Sequence, residues 1–359
     1  MAYSAEERAY IWLDSFPLEP AQQNKLLSGN SPVWLVKNFA AQKPFFEGLE
    51  KTELYEEMLA TLQDGGAYFR KTAARYEEQQ IVCITRADGR YPTAWKSLPD
   101  APTCLYAKGN IDLLKTRLFT AVGSRKITEA AEKLARAVCK ELSEAFTLAT
   151  GTAEGGDGAV AKGALDGSGK AVCLLAGGFG NIPQGNAVLL KEVEKRGLLL
   201  AVRSFDTPVL AYSYEYRNKL LALLGEGTLV VSAGEKSGAL ITAGYAAEYE
   251  KPIFAFPYPP NALFGAGCNA LIKKGGYLTE NSFDILGRFG INCIKKKEEA
   301  ALSETERLVL ASLKELGEAH ISALSQKTGI SPFKLTAVLS ALEVKGVVAK
   351  CGGNRFVSV

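Results

Sequence analysis

Leu118-Phe119-Thr120-Ala121-Val122-Gly123-Ser124-Arg125-Lys126-Ile127-Thr128 is the stretch on which the fold turns. A strand-length apolar run stops at a glycine, a short polar and cationic turn follows, and an amphipathic segment then begins. The same order recurs downstream: apolar runs at Thr147–Thr150, Ala171–Ala176, Leu198–Val202, Thr228–Val231 and Ile253–Phe256 alternate with helical stretches. Several of these runs are continuous rather than alternating, as parallel strands buried on both faces require. Strands alternating with helices predict an α/β fold, a Rossmann-like doubly wound parallel sheet, over residues 76–290.

On either side of this core the texture changes. Residues 1–75 carry Tyr10, Trp12, Leu13, Phe16, Leu26, Leu27, Trp34, Leu35, Leu49, Leu54, Met58 and Leu62 at helical spacing, interrupted by Pro17, Pro20 and Pro32. They predict a small helical accessory domain of the SAM or helix-hairpin-helix kind. Residues 291–301 read as a charged linker. Beyond it, Ser303 and Glu306 can form a capping box opening one helix. Ile321–Thr328 reads as a second helix, and Ser331-Pro332 opens a third that runs to about Lys345. Val347–Lys350 and Arg355–Val357 flank Gly352-Gly353 as a hairpin. Residues 302–359 therefore predict a winged helix, with His320 near the start of its second helix.

The composition narrows the chemistry. Among 359 residues, 42 Lys and Arg face 39 Asp and Glu, a formal charge of +3. Any anion site must then be a local patch rather than a property of the whole surface. A single histidine argues against His-rich metal sites and a Ser-His-Asp triad. The seven cysteines include no C-x-x-C pair and mostly sit in apolar runs, which suits buried thiols in a reducing compartment. No apolar run approaches the roughly 20 residues that span a bilayer, and the N-terminus has no signal core. The expectation is a cytoplasmic protein.

In an open parallel sheet, ligands bind where strands end and helices begin, because free N–H groups and the helix dipole favour anions there. Small or glycine-rich turns stand at four such places: Val122–Thr128, Thr150–Asp157, Ala176–Pro183 and Ser232–Thr242. One such turn alone is weak evidence, since glycine suits any tight turn. Four on one edge, with Arg125 and Lys126 in the first, point to phosphate. None fits a P-loop, and the nearest G-x-G-x-x-G lacks the acidic ribose partner, the chain reading Lys170-Ala171-Val172 there. At the first turn, the Arg125 guanidinium is expected to pair with phosphate alongside the N–H groups of Ser124 and Lys126. Its bland alternative is an ion pair with Glu129, at i+4 on the following helix. A further cluster, Tyr212-Ser213-Tyr214-Glu215-Tyr216-Arg217-Asn218-Lys219, is either a stacking platform beside cations or a helix start whose tyrosines pack on the sheet.

Taken together, the motifs resemble the DNA processing protein A family, also called Smf. The resemblance runs through Arg90-Tyr91-Pro92-Thr93-Ala94-Trp95, Pro99–Asn110, Val122-Gly123-Ser124-Arg125, Ser237–Ala243 and Gly267–Ile272. It implies a non-enzymatic, dimeric protein that binds single-stranded DNA without sequence preference, shields incoming DNA in natural transformation and helps load the recombinase RecA. The family's DNA-contacting arginine carries over as Arg125, and its Arg-Asn-Arg motif as Arg217-Asn218-Lys219. Some positions depart from the pattern. Glu154 stands where a basic residue is usual and weakens phosphate binding if its side chain faces the groove. Lys162 stands where a histidine is common, Tyr214-Glu215 replaces a Phe-Pro pair, and Ser232 replaces a glutamate.

The contact set expected for DNA is Gly123, Ser124, Arg125, Lys126, Gly151, Lys162, Tyr214, Arg217, Asn218, Lys219, Lys236, Ser237 and Gly238, with no catalytic, metal or cofactor residue. The alternative is a nucleotide-binding or nucleoside-monophosphate phosphoribohydrolase-like Rossmann enzyme. Such enzymes carry a Pro-Gly-Gly-x-Gly-Thr-x-x-Glu loop, whereas Glu235–Ala243 has no glutamate at its end. A duplex-reading transcription factor is a third reading, but the helix Ser331–Lys345 offers only Lys334 and Lys345 as cations. A protein-contact or dimer-supporting role suits that helix better.

Overall fold

The structure, a computed structural model, describes residues 3–291, 302–344 and 347–358. Contacts divide the chain into two compact units, Met1–Ile291 and Asn292–Val359. The expected linker, past Ile291, lies outside the described residues, as do Cys293 and Lys345.

The first unit opens with helices α1 (Ala5–Asp14), α2 (Pro20–Leu27), α3 (Pro32–Lys37), α4 (Lys43–Glu47), α5 (Thr52–Gln63) and α6 (Ala67–Glu78). Ser4 and Glu7 cap α1 reciprocally, and Pro20 and Pro32 sit in first turns where no N–H is needed. Trp12 meets Phe16 and Phe39 edge-on while Phe39 stacks on Tyr55, so aromatic rings fill this small core. The helices adhere to the sheet. The Thr103 hydroxyl donates to Gln23 (2.8 Å), Arg86 to Asn24 (2.7 Å), and the Phe205 N–H to the Tyr76 hydroxyl (2.7 Å).

The sheet has nine strands: β1 (Val82–Thr85), β2 (Cys104–Gly109), β3 (Leu118–Gly123), β4 (Thr147–Thr150), β5 (Ala171–Leu174), β6 (Leu198–Ala201), β7 (Thr228–Ser232), β8 (Ile253–Ala255) and β9 (Tyr277–Leu278). Their order is β1-β2-β6-β5-β4-β3-β7-β8-β9. From β6 to β9 every pairing is parallel, so the expected α/β architecture is present. The edge pair β1 and β2 is antiparallel, a feature that alternation of strand and helix does not reveal.

The crossover helices are α7 (Glu129–Leu142), α8 (Gly156–Asp166), α9 (Ala187–Arg196), α10 (Ala211–Leu224) and α11 (Gly238–Glu248), followed by α12 (Ala266–Lys273) and α13 (Ser282–Arg288). From β3 the chain steps outward to β4, β5 and β6, then crosses back to β7 and proceeds the other way. Right-handed crossovers in opposite directions place α7 to α9 and α10 to α11 on opposite faces. The two halves part between β3 and β7. Phe119, Leu148, Val172, Leu200, Val230 and Phe254 are fully buried between the layers.

The second unit comprises α14 (Glu304–Leu316), β10 (Ala319–His320), α15 (Ile321–Thr328), α16 (Pro332–Val344), β11 (Val348–Cys351) and β12 (Arg355–Ser358). Ser303 and Glu306 form the expected capping box, and His320 caps α15 by accepting the Ser322 N–H. Leu313, Leu324, Leu335, Leu339 and Leu342 are buried together with Phe356. Strand β10, which sequence pattern does not show, pairs with β12 and widens the hairpin to three strands. Cys83, Cys104, Cys139, Cys173 and Cys268 are buried thiols, as their apolar settings predict. Among the described residues no helix is long and apolar enough to cross a membrane.

Candidate nucleic-acid interface

A cleft of about 580 Å³ opens where β3 and β7 end, at the point where the strand order reverses. Open α/β sheets bind ligands at such points because the flanking crossovers diverge and leave a crevice. Three segments build it.

The first is the turn after β3. Gly123 and Gly156 lie so close that a Cβ on Gly156 would stand 2.4 Å from the Gly123 Cα. Gly155, at φ +75°, would drive a Cβ to 2.3 Å from the Arg125 carbonyl oxygen. The 123–125 turn is therefore stacked on the start of α8, and the Gly156 N–H donates to the Ser124 carbonyl (2.9 Å). The N–H groups of Gly123 and Ser124 are both engaged, by the Asp157 carboxylate (3.2 Å) and the Ser232 carbonyl (2.8 Å). This corrects the expectation that the Ser124 N–H is open to phosphate. Those of Arg125 and Lys126 have no acceptor among the described residues, and both side chains are exposed. Glu129, the carboxylate that could have claimed Arg125, pairs with Lys133 instead (2.7 Å).

Helix α10 supplies the second wall. The Tyr214 ring stands between two cations, the Arg125 guanidinium at 5.3 Å and that of Arg217 at 6.0 Å from its centroid. Arg217 is buried: it donates to the Leu174 carbonyl (3.0 Å) and to the Asn218 side-chain oxygen (3.0 Å). Asn218 in turn donates to the Gly238 carbonyl (3.2 Å), tying α10 to the first turn of α11. Burial lowers the Arg217 pKa and raises that of Asp157, each opposed by the other's charge. Gly151 leaves the space between them, since a Cβ there would lie 2.1 Å from Asp157 and 2.4 Å from Arg217.

The third wall follows β7. The Ser232 hydroxyl lies 2.9 Å from that of Ser124 and donates to the Phe264 carbonyl (2.9 Å), so it joins the end of β7 to the turn after β3 and to the segment between β8 and α12. Lys236 is exposed at the rim, and Ser237 caps α11 through the Ala239 N–H (3.3 Å).

Gly123, Ser124, Arg125, Lys126, Tyr214, Arg217, Asn218, Lys236, Ser237 and Gly238 thus line one cleft. Three expected residues do not. Gly151 is buried beneath it. Lys162 pairs with Glu132 (3.0 Å), and Lys219 grips both oxygens of Asp100 (2.9 Å each) while the Tyr216 hydroxyl donates to the Asp100 carbonyl (2.6 Å). Residues two apart on a helix point about 200° from one another, so Arg217 and Lys219 face opposite ways. Glu154 packs against Gly185 and is not among the residues that line the cleft, although its neighbour Ala153 is. Sequence reasoning missed Asp157, Thr242, Leu263 and Phe264 in the lining. An aspartate following two glycines at a helix start could have signalled the first, whereas nothing local marks the others.

The family model for DNA recombination-mediator protein A matches residues 82–290. The chain belongs to that family. The DNA processing protein DprA of Bacillus subtilis is 32% identical over 218 residues, 60% of this chain and 73% of that protein. Among solved structures, DNA processing protein A from Streptococcus pneumoniae matches with a TM-score of 0.66 at 25% identity, covering 80% of this chain and 98% of its own. The Helicobacter pylori family member, solved to describe its single-stranded DNA binding mode, matches with a TM-score of 0.53 at 27% identity over 59% of this chain and 97% of that one. The family match spans the sheet and so contains every wall of the cleft.

Proposed function

We propose that this chain is a DNA-processing recombination mediator that holds single-stranded DNA in the β3–β7 cleft by its phosphates, without reading base sequence. The observation that carries this reading is that Arg125, Lys126 and Lys236, exposed and without carboxylate partners among the described residues, line one cleft with the Tyr214 ring, over which Arg125 stands at 5.3 Å. Cations beside an aromatic face suit a flexible strand, whose bases are free to stack. Arg217 and Asp157 position the walls rather than touch the strand. The H. pylori relative's single-stranded DNA binding supports the same ligand here. The finer role, a cytoplasmic homodimer that protects incoming strands and hands them to RecA, belongs to the same proposal.

The test is a gel shift with oligo-dT against blunt duplex at two salt concentrations. Tighter, salt-sensitive binding to the single strand is expected, and equal affinity for duplex overturns it. Release of free base from nucleoside monophosphates would instead favour a phosphoribohydrolase-like enzyme.

A further inference from the structure

The walls of the cleft differ in kind. Arg125 and Lys126 stand on one side and Lys236 on another, but the segment at residues 257–265, Pro-Tyr-Pro-Pro-Asn-Ala-Leu-Phe-Gly, carries no charge. From it Leu263 projects into the cleft mouth with 83% of its surface exposed. Its backbone is nonetheless held on several sides. Ser232 bonds the Phe264 carbonyl, and the Ala262 and Gly265 N–H groups close two successive turns at 3.1 Å. Asn269 clasps Tyr258 both ways, accepting its N–H (3.0 Å) and donating to its carbonyl (2.9 Å). Pro259 and Pro260 fix their own φ angles. An apolar side chain largely exposed on a pinned turn, lining the same cleft as three cations, has the build of a wedge.

We infer that Leu263 inserts between neighbouring bases of a strand whose phosphates lie on Arg125, Lys126 and Lys236. This rests on the reading of the cleft as a single-strand site. Apolar side chains enter base steps only by unstacking them. A single strand allows this readily, whereas a paired duplex resists it, so the wedge selects against duplex at the same site that holds phosphate.

The experiment uses the full chain and short oligo-dT carrying an adjacent pair of 2-aminopurines, moved stepwise along the strand. Binding should raise the fluorescence of the pair at one register, where the two bases are pried apart. Leu263→Ala should abolish that rise, weaken binding about fivefold and leave the slope of affinity against salt unchanged. Leu263→Phe should restore the rise. Its exposure means neither change should move the melting temperature. Salt-sensitive binding with no rise at any register, or a rise that survives Leu263→Ala, overturns the wedge while leaving the phosphate site intact. No binding of the wild-type chain at all overturns the cleft reading itself.

Discussion

At the scale of single residues, Arg125 separates affinity from stability. With Glu129 committed to Lys133, Arg125→Ala should leave the melting temperature unchanged. It should weaken oligo-dT binding by about 1–3 kcal/mol and flatten the slope of log affinity against log salt by roughly 0.7, the value of one single-strand phosphate contact. An unchanged slope would remove Arg125 from the interface. Gly156→Ala is expected to do the reverse. Its Cβ meets the Gly123 backbone rather than a pliable side chain, so stability should fall by about 1–3 kcal/mol in urea titrations. Asp14 adds a dependence on pH. Burial pushes its carboxyl up to about 6, against the opposing pull of the Gln23 amide, which donates to one oxygen (3.1 Å). Because the fold favours the protonated form, this contribution is whole below about pH 4 and is lost as pH rises through 6. Asp14→Asn should therefore stabilise on the order of 2 kcal/mol at pH 8 and almost nothing at pH 4, read from melting curves at both. Arg125, Lys126 and Lys236 were legible in the sequence because strand-to-helix turns have a signature. The burial of Arg217 was not, since its place depends on Leu174 and Asp157 in distant segments.

Among elements, α10 carries the most divided duty. One face brings Tyr214, Arg217 and Asn218 to the cleft, and the other holds the segment before β2 through Tyr216, Lys219 and the Leu220 carbonyl, which accepts from the Trp95 indole (3.0 Å). The Tyr cluster has two readings in the sequence, a stacking platform or a packed helix start: Tyr216 packs through its hydroxyl on the Asp100 carbonyl, while the Tyr214 ring lines the cleft. Lys219→Ala should lower stability by about 1 kcal/mol, the range of a partly exposed ion pair. It should leave the salt slope of DNA binding unchanged. A shallower slope in that variant would return Lys219 to the interface. The N-terminal helices grip the loop before α10 as well, with Arg203 bonded to Glu19 (2.6 Å) and the Arg75 guanidinium 4.1 Å from the Phe205 ring centroid.

For the whole molecule, the two units predict that a chain ending at Ile291 folds and keeps its single-strand affinity, since among the described residues the cleft lining runs from Val122 to Phe264. Insolubility of that fragment, or loss of binding by a folded one, would contradict this. The parallel core was readable because buried strands are continuous apolar runs. The antiparallel β1 and β2 were harder, as neither is followed by a crossover helix. Reversal of strand order between β3 and β7 has a consequence in time. The turn after β3 leaves the ribosome early, but it has no opposite wall until three further strand–helix units and β7 have followed. Contacts so far apart in sequence form slowly. The cleft is therefore a late product of folding, and a chain stalled before Ser232 can be compact and still have nowhere to put a strand.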